Sequence, residues 1–247
     1  MKVAVPSGRE LEVERLLVTV DDGAAIETSV LDLISVSPRR PGEPMVRIYV
    51  LGGGGSGKTT LARRLGARLA GPVFHLDDVL FPRGWHTLSR AERQAMREAE
   101  IRRLAALPSW ILEGCYPGWI EEFASAADLI VWLDVPFWRA AWRIAKRHVL
   151  ADLRRNNRHP GYRNLWRFLQ GQRRYHTRSE AEYRRRLDEA AGERWGDALH
   201  CRRHVAVQYS RLGHKMLRVT GGGPAQITRQ VEARLEDVRG APQPWRG

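Results

Sequence analysis

Val46-Arg47-Ile48-Tyr49-Val50-Leu51-Gly52-Gly53-Gly54-Gly55-Ser56-Gly57-Lys58-Thr59-Thr60-Leu61-Ala62-Arg63-Arg64-Leu65-Gly66-Ala67-Arg68-Leu69 is the stretch on which the fold turns. Its first six residues are an apolar run of strand length. Its last nine carry Leu61, Leu65 and Leu69 at helical spacing. Between them, Gly52 to Thr60 fit G-x-x-x-x-G-K-[ST], after a strand and opening a helix, where that pattern has physical meaning.

A chain of phosphates needs several backbone N–H groups turned inward, so the main chain must come close and bend sharply. Glycine alone takes such turns without steric cost. The helix that follows adds unpaired N–H groups and the positive end of its dipole. The segment Gly52, Gly53, Gly54, Gly55, Ser56, Gly57, Lys58, Thr59 and Thr60 is therefore read as a nucleotide-phosphate site. Lys58 is expected to reach the β- and γ-phosphates, and the Thr59 hydroxyl to bind Mg²⁺.

Working outward, two carboxylates follow strand-like runs. Pro72-Val73-Phe74-His75-Leu76 precedes Asp77-Asp78, and Trp110-Ile111-Leu112 runs into Glu113-Gly114. A carboxylate at the carboxyl end of a strand in an open α/β sheet lies on the ligand side. Asp77 is a candidate for holding Mg²⁺ or taking the acceptor's proton, and Glu113 for meeting the metal through water. Phe81 to His86 form a loop suited to closing on an acceptor. Ser89 with Glu92 reads as a capping box.

The continuous apolar run Ala127 to Pro136 suits a central parallel strand with both faces covered. The helix opened by Phe137 carries Arg139, Arg143 and Arg147 four apart, on one face, where guanidinium groups suit phosphate oxygens. Trp138, Trp142 and Ile144 are expected to supply that helix's apolar contacts. Further on, Trp166, Phe168, Leu169 and Tyr175 are expected to anchor helices of an Arg-rich lid. Lys215 to Val219 read as the last strand, followed by Gly221, Gly222, Gly223 and Pro224 and a helix from Ala225 to about Val238.

The chain has 247 residues, enough for one α/β domain with a small appendage. Residues 1–44 read as a β-rich appendage ending in a Pro-rich linker, 45–240 as the working domain, and 241–247 as a frayed tail. No apolar run approaches the ~20 residues of a membrane span, so no membrane partner is expected. Cys115 and Cys201 are the only cysteines, which excludes a disulfide framework and suits a reducing cytoplasm. The net charge is +13. Lys and Arg dominate between Phe137 and Arg218, a bias that suits polyphosphate substrates or a nucleic-acid backbone.

Together these motifs resemble the adenylate-kinase-related kinases with a phosphate-binding P-loop, and most closely their branch called DNA topology modulation proteins. The resemblance rests on Gly52 to Thr60, His75-Leu76-Asp77 with Pro82-Arg83-Gly84-Trp85, Ile111 to Gly114, and Asp128 to Pro136. It implies a P-loop NTPase of nucleoside-monophosphate-kinase type: a five-stranded parallel sheet of order 2-3-1-4-5, with helices on both faces and a lid after the fourth strand. By that match Arg143 meets the adenine or phosphates, Arg147 contacts the phosphate chain, and Gly221 to Pro224 cup the base. One departure bears on substrate. Adenylate kinases follow the third strand with Asp-Gly-Phe-Pro-Arg, whose arginine holds the acceptor monophosphate. This chain has Glu113-Gly114-Cys115-Tyr116-Pro117 and lacks that arginine.

The expectation is an ATP-dependent phosphotransferase with Mg²⁺. Lys58, Asp77, Arg143 and Arg147 are its candidate catalytic residues, and Thr59, Asp77 and Glu113 its candidate metal set. The alternatives are an ATP-dependent nucleic-acid-binding regulator and an ATP hydrolase or scaffold without an acceptor.

Overall fold

The computed structural model describes residues 2–4, 10–12, 17–19, 25–27, 45–81, 87–115, 120–157, 159–179, 181–182, 185, 202–210 and 212–240. In the amino-terminal segment, β1 (Lys2–Ala4) pairs antiparallel with β2 (Glu10–Glu12), and β3 (Leu17–Thr19) with β4 (Ala25–Glu27). The Pro-rich linker and the 241–247 tail lie outside the described residues.

The working domain is a five-stranded parallel sheet. Its strands are β5 (Arg47–Gly52), β6 (Val73–His75), β7 (Trp110–Glu113), β8 (Leu129–Leu133) and β9 (Met216–Val219), in the order β6-β7-β5-β8-β9. Counted from β5, that is 2-3-1-4-5. The strands are parallel because helices return the chain between them, and near-continuous apolar sequence is what burial on both faces demands. Every residue of β7 and β8 is buried.

Alternate residues of β5 face opposite cores. Tyr49 and Leu51 join Phe74, Leu112, Ile130 and Trp132 in one, and Ile48 and Val50 join Ile111, Leu129, Val131 and Leu133 in the other. The second core is covered by α1 (Lys58–Leu69) through Leu61 and Leu65, and by α8 (Pro224–Gly240) through Val231 and Leu235. The first takes residues from α2 (Leu76–Leu80), α3 (Arg90–Ala106), α4 (Ile120–Ala126), α6 (Tyr162–Thr177) and α7 (Arg202–Ser210). α5 (Phe137–Leu153) leaves the end of β8 and packs on α6.

Local devices close the elements. Ser89 accepts from the Glu92 N–H while Glu92 accepts from the Ser89 N–H, the expected capping box, at 3.3 and 2.7 Å. The Asp128 carboxylate accepts from the Arg47 N–H at 2.8 Å and ties the start of β5 to the turn before β8. Cys115 is buried in the first core.

Two groups of aromatic residues depart from expectation. On α5 the core face is Ala140, Ile144 and His148, and Trp138 and Trp142 are 65% and 68% exposed. On α6 the buried residues are Gln172 and Tyr175, and Trp166 and Phe168 are exposed. Helical spacing offers more than one face, and the surface against which the helix packs selects among them. Tyr175 does anchor α6, at 3% exposed. Asp77 does not end a strand: β6 stops at His75, and Asp77 lies in the first turn of α2. Beyond Phe81 the 82–86 loop lies outside the described residues, as do much of the lid and residues 116–119.

Candidate active site

The carboxyl end of β5 lies between β7 and β8, where the sheet's connections change direction, the position at which open α/β sheets take ligands. Here the chain turns through Gly53 to Gly57 into the N-terminus of α1. Gly55 and Gly57 have φ of +71° and +102°, which L side chains rarely adopt. A Cβ on Gly55 would stand 2.5 Å from the Ala140 carbonyl oxygen and 2.9 Å from Ile144 Cγ1 of α5. A Cβ on Gly53 would meet Gln172 Nε2 at 2.7 Å and Tyr175 Cδ1 at 2.9 Å on α6. The loop is thus held on its outer side by two helices.

Side chains finish the loop. Lys58 Nζ donates to the Gly53 carbonyl at 3.1 Å, spanning the turn. Arg143 Nη1 donates to the Ser56 and Gly55 carbonyls at 2.8 and 3.4 Å, so α5 grips the loop by its backbone. The buried Ser56 hydroxyl has no hydrogen-bond partner among the described residues. An orphaned buried hydroxyl inside a glycine turn suits a polar ligand.

Beneath the loop lies a group assembled from three elements. The Thr59 hydroxyl of α1 donates to Glu113 Oε1 at 2.9 Å, and His75 Nδ1 lies 2.8 Å from the same oxygen. His75 and Glu113 are cross-strand neighbours on β6 and β7. Burial alone would raise the Glu113 carboxyl. The His75 bond, the Lys58 charge and the Thr59 bond outweigh it and hold Glu113 below the usual carboxylate range. The same bond to Glu113 raises the His75 imidazole above its ordinary value against the opposing effect of burial.

The expected metal set is therefore brought together in part. Thr59 and Glu113 touch, while Asp77 is exposed two residues beyond the end of β6. Among the described residues, no group of three or more His, Cys, Asp and Glu forms a metal cage. Mg²⁺ seldom uses such a cage; it keeps waters and combines one or two protein oxygens with substrate phosphates. A hydroxyl beside an ionised, buried carboxylate under a glycine turn that opens a helix fits that requirement.

Of the aligned arginines, Arg143 is on the loop, and Arg147 is exposed one turn further along α5. Arg139 reaches the last loop: a Cβ on Gly221 would lie 3.0 Å from its Nη1. Gly222 has φ +113°, and Pro224 opens α8 as its fixed φ permits.

Three residues escaped the sequence reading. His75 belongs to a strand-like run and to the residues of the family resemblance, neither of which assigns it a role. Gln172 is a polar residue at a buried position of an amphipathic helix, and that mismatch was its available signal. Asp134, just past β8, is 1% exposed at its side chain and accepts from both Arg202 of α7 and Arg218 of β9. The four donor–acceptor distances lie between 2.5 and 2.9 Å. Burial would raise the Asp134 carboxyl, but the two guanidinium groups hold it below the usual range.

No family model matches the chain, and no curated protein matches it. Solved structures do resemble it. It is similar to a shikimate kinase from Acinetobacter baumannii in complex with shikimate, at 16% identity and TM-score 0.48, over 81% of this chain and 97% of that one. It is similar to a gluconokinase from Sinorhizobium meliloti 1021, at 18% identity and TM-score 0.45, over 79% and 94% of the two chains. It is also similar to a deoxyadenosine kinase from M. mycoides with bound dATP, at 11% identity and TM-score 0.41, over 76% and 98%.

Proposed function

We propose that this protein transfers the γ-phosphoryl group of ATP to a small-molecule or nucleotide acceptor. The observation that carries the reading is the Thr59–Glu113 contact at 2.9 Å directly under a glycine turn whose lysine is already in place. A structural turn has no need of a buried, ionised carboxylate at that point.

The loop amides and the α1 N-terminus bind the phosphate chain, and Lys58 exchanges the Gly53 carbonyl for β- and γ-phosphate oxygens. Thr59 and Glu113 hold Mg²⁺. Once bound, that ion neutralises charge on the phosphates that face it. Arg143 fixes the loop's shape through two carbonyls, and with Arg147 supplies positive charge along the phosphate chain. His75 orients Glu113. Gly221, Gly222 and Pro224 border the base, and Asp77 takes the proton of the acceptor hydroxyl. Catalysis is then mainly positioning and electrostatics. The finer resemblance to DNA topology modulation proteins belongs to this reading, as does an acceptor that needs no arginine after β7.

The test is ATP consumption with Mg²⁺, alone and against nucleoside monophosphates, nucleosides and hydroxylated metabolites. The expected result is turnover stimulated by one acceptor class and lowered ~100-fold or more in Lys58→Ala, with an unchanged circular dichroism spectrum. Wild-type turnover in Lys58→Ala would refute the assignment. ATP binding without any stimulated turnover would leave a hydrolase or switch.

A further inference from the structure

We infer that the α5–α6 hairpin is a docking face for the surface of an anionic phospholipid bilayer. On α5, Trp138, Trp142, Val149 and Leu153 are 65%, 68%, 51% and 76% exposed. They follow at i, i+4, i+11 and i+15, which at 3.6 residues per turn places all four within about 60° of one another. Ala140, Ile144 and His148, which face the core, occupy the opposite side of the helix. α5 therefore has two apolar stripes, and the fold buries one. Beyond the short connection, α6 opens with Tyr162 and Trp166 one turn apart, 77% and 61% exposed.

Charge selects the occupant. α5 and α6 together carry eight Lys and Arg against one acid, Asp152; with Arg143 on the glycine loop and Arg147 assigned to the phosphate chain, six cations remain. That acid is engaged within the protein, 3.3 Å from His148 Nε2 and accepting from Asn157 at 2.7 Å. An amphipathic helix with tryptophan and aliphatic residues on one face and arginine and lysine flanking it is the pattern that lies in a headgroup layer. Apolar burial and attraction to anionic lipid then add. A second copy of the chain would set this positive face against itself. Nucleic acid would satisfy the charges and the aromatic rings, but it leaves Val149 and Leu153 exposed, since neither offers a stacking plane. Among the described residues no helix is long and apolar enough to cross a membrane, so the contact is with the surface.

The experiment is flotation of the full chain with phosphatidylcholine vesicles, with and without phosphatidylglycerol. A parallel titration with duplex DNA and sedimentation velocity complete it. The expected result is flotation that requires phosphatidylglycerol and weakens about tenfold or more in Trp142→Ser/Leu153→Ser. That double variant should bind ATP as the wild type does, since both side chains are exposed and α5 meets the loop through Ala140, Arg143 and Ile144. Lys58→Ala should float normally, so that failure of the nucleotide reading and failure of this one are told apart. Absence of flotation, equal flotation with both vesicle types, or an unaffected double variant would each overturn the proposal. Binding to DNA without binding to vesicles would assign the face to nucleic acid. A dimer abolished by the double variant would assign it to self-association.

Discussion

At the scale of single residues, glycine is required where backbone meets backbone. At Gly55 a Cβ would stand 2.5 Å from a main-chain oxygen of α5, at a φ of +71°. Neither the strain nor the clash can be relieved by a rotamer change. Gly55→Ala is expected to lower stability by about 1–3 kcal/mol and to weaken ATP binding, read by urea unfolding and a binding titration. Gly171, inside α6 with nothing within 4 Å of its Cβ position, is the control. Gly171→Ala should be neutral or stabilising by up to ~1 kcal/mol. Equal effects at both sites would show that the loop does not need its glycine. Glu113 offers a test by charge. Glu113→Gln keeps an oxygen for the Thr59 hydroxyl but loses the anion, so the Mg²⁺ concentration giving half-maximal turnover should rise roughly 10- to 100-fold. An unchanged requirement would remove Glu113 from the metal site. The glycine loop was legible in the sequence because all its parts are contiguous. The pairing of His75 with Glu113 was not, because cross-strand register depends on how β6 and β7 align, and 38 residues separate the two.

At the scale of elements, Asp134 ties a helix of the lid side to the sheet. It holds Arg202 of α7 and Arg218 of β9 in a single carboxylate. Asp134→Asn should cost about 1–2 kcal/mol, discounted because both arginines are more than a third exposed and regain water. The carboxyl is lowered in the folded protein, so its contribution is present above the unfolded value of 3.8 and lost as pH falls through the folded one. The stability difference between wild type and Asp134→Asn should thus be full near neutrality and shrink as acid protonates the carboxyl. Urea midpoints across the acid range measure it, and a difference that grew on acidification would contradict the pairing. The same scale explains the misplaced aromatics. The residues of α5 at 138, 142, 149 and 153 and those at 140, 144 and 148 are both helical stripes. Residue type favours the first as core, and only contact with the glycine loop and α6 chooses the second.

At the scale of the whole molecule, all five strands of the sheet and both cores lie between Val46 and Leu235. A chain shortened to residues 45–240 is therefore expected to melt within about 4 °C of the full chain, a shift equivalent to ~1 kcal/mol at this size, and to bind ATP alike. A larger loss would mean that residues 1–44 form part of the domain.

The sequence by itself determined the glycine-rich turn, the alternation of strand and helix, and hence the parallel sheet, while its strand order was implied by the family resemblance alone. The turn, the alternation and the sheet follow from short-range patterns: glycine freedom, helical and strand periodicity, and a helix N-terminus next to a strand end. Tertiary structure alone decided that His75 pairs with Glu113, that Asp134 binds two arginines from distant elements, and that the tryptophans of α5 face outward. These depend on register and on helix rotation about its own axis, which are settled by what the rest of the chain brings into contact.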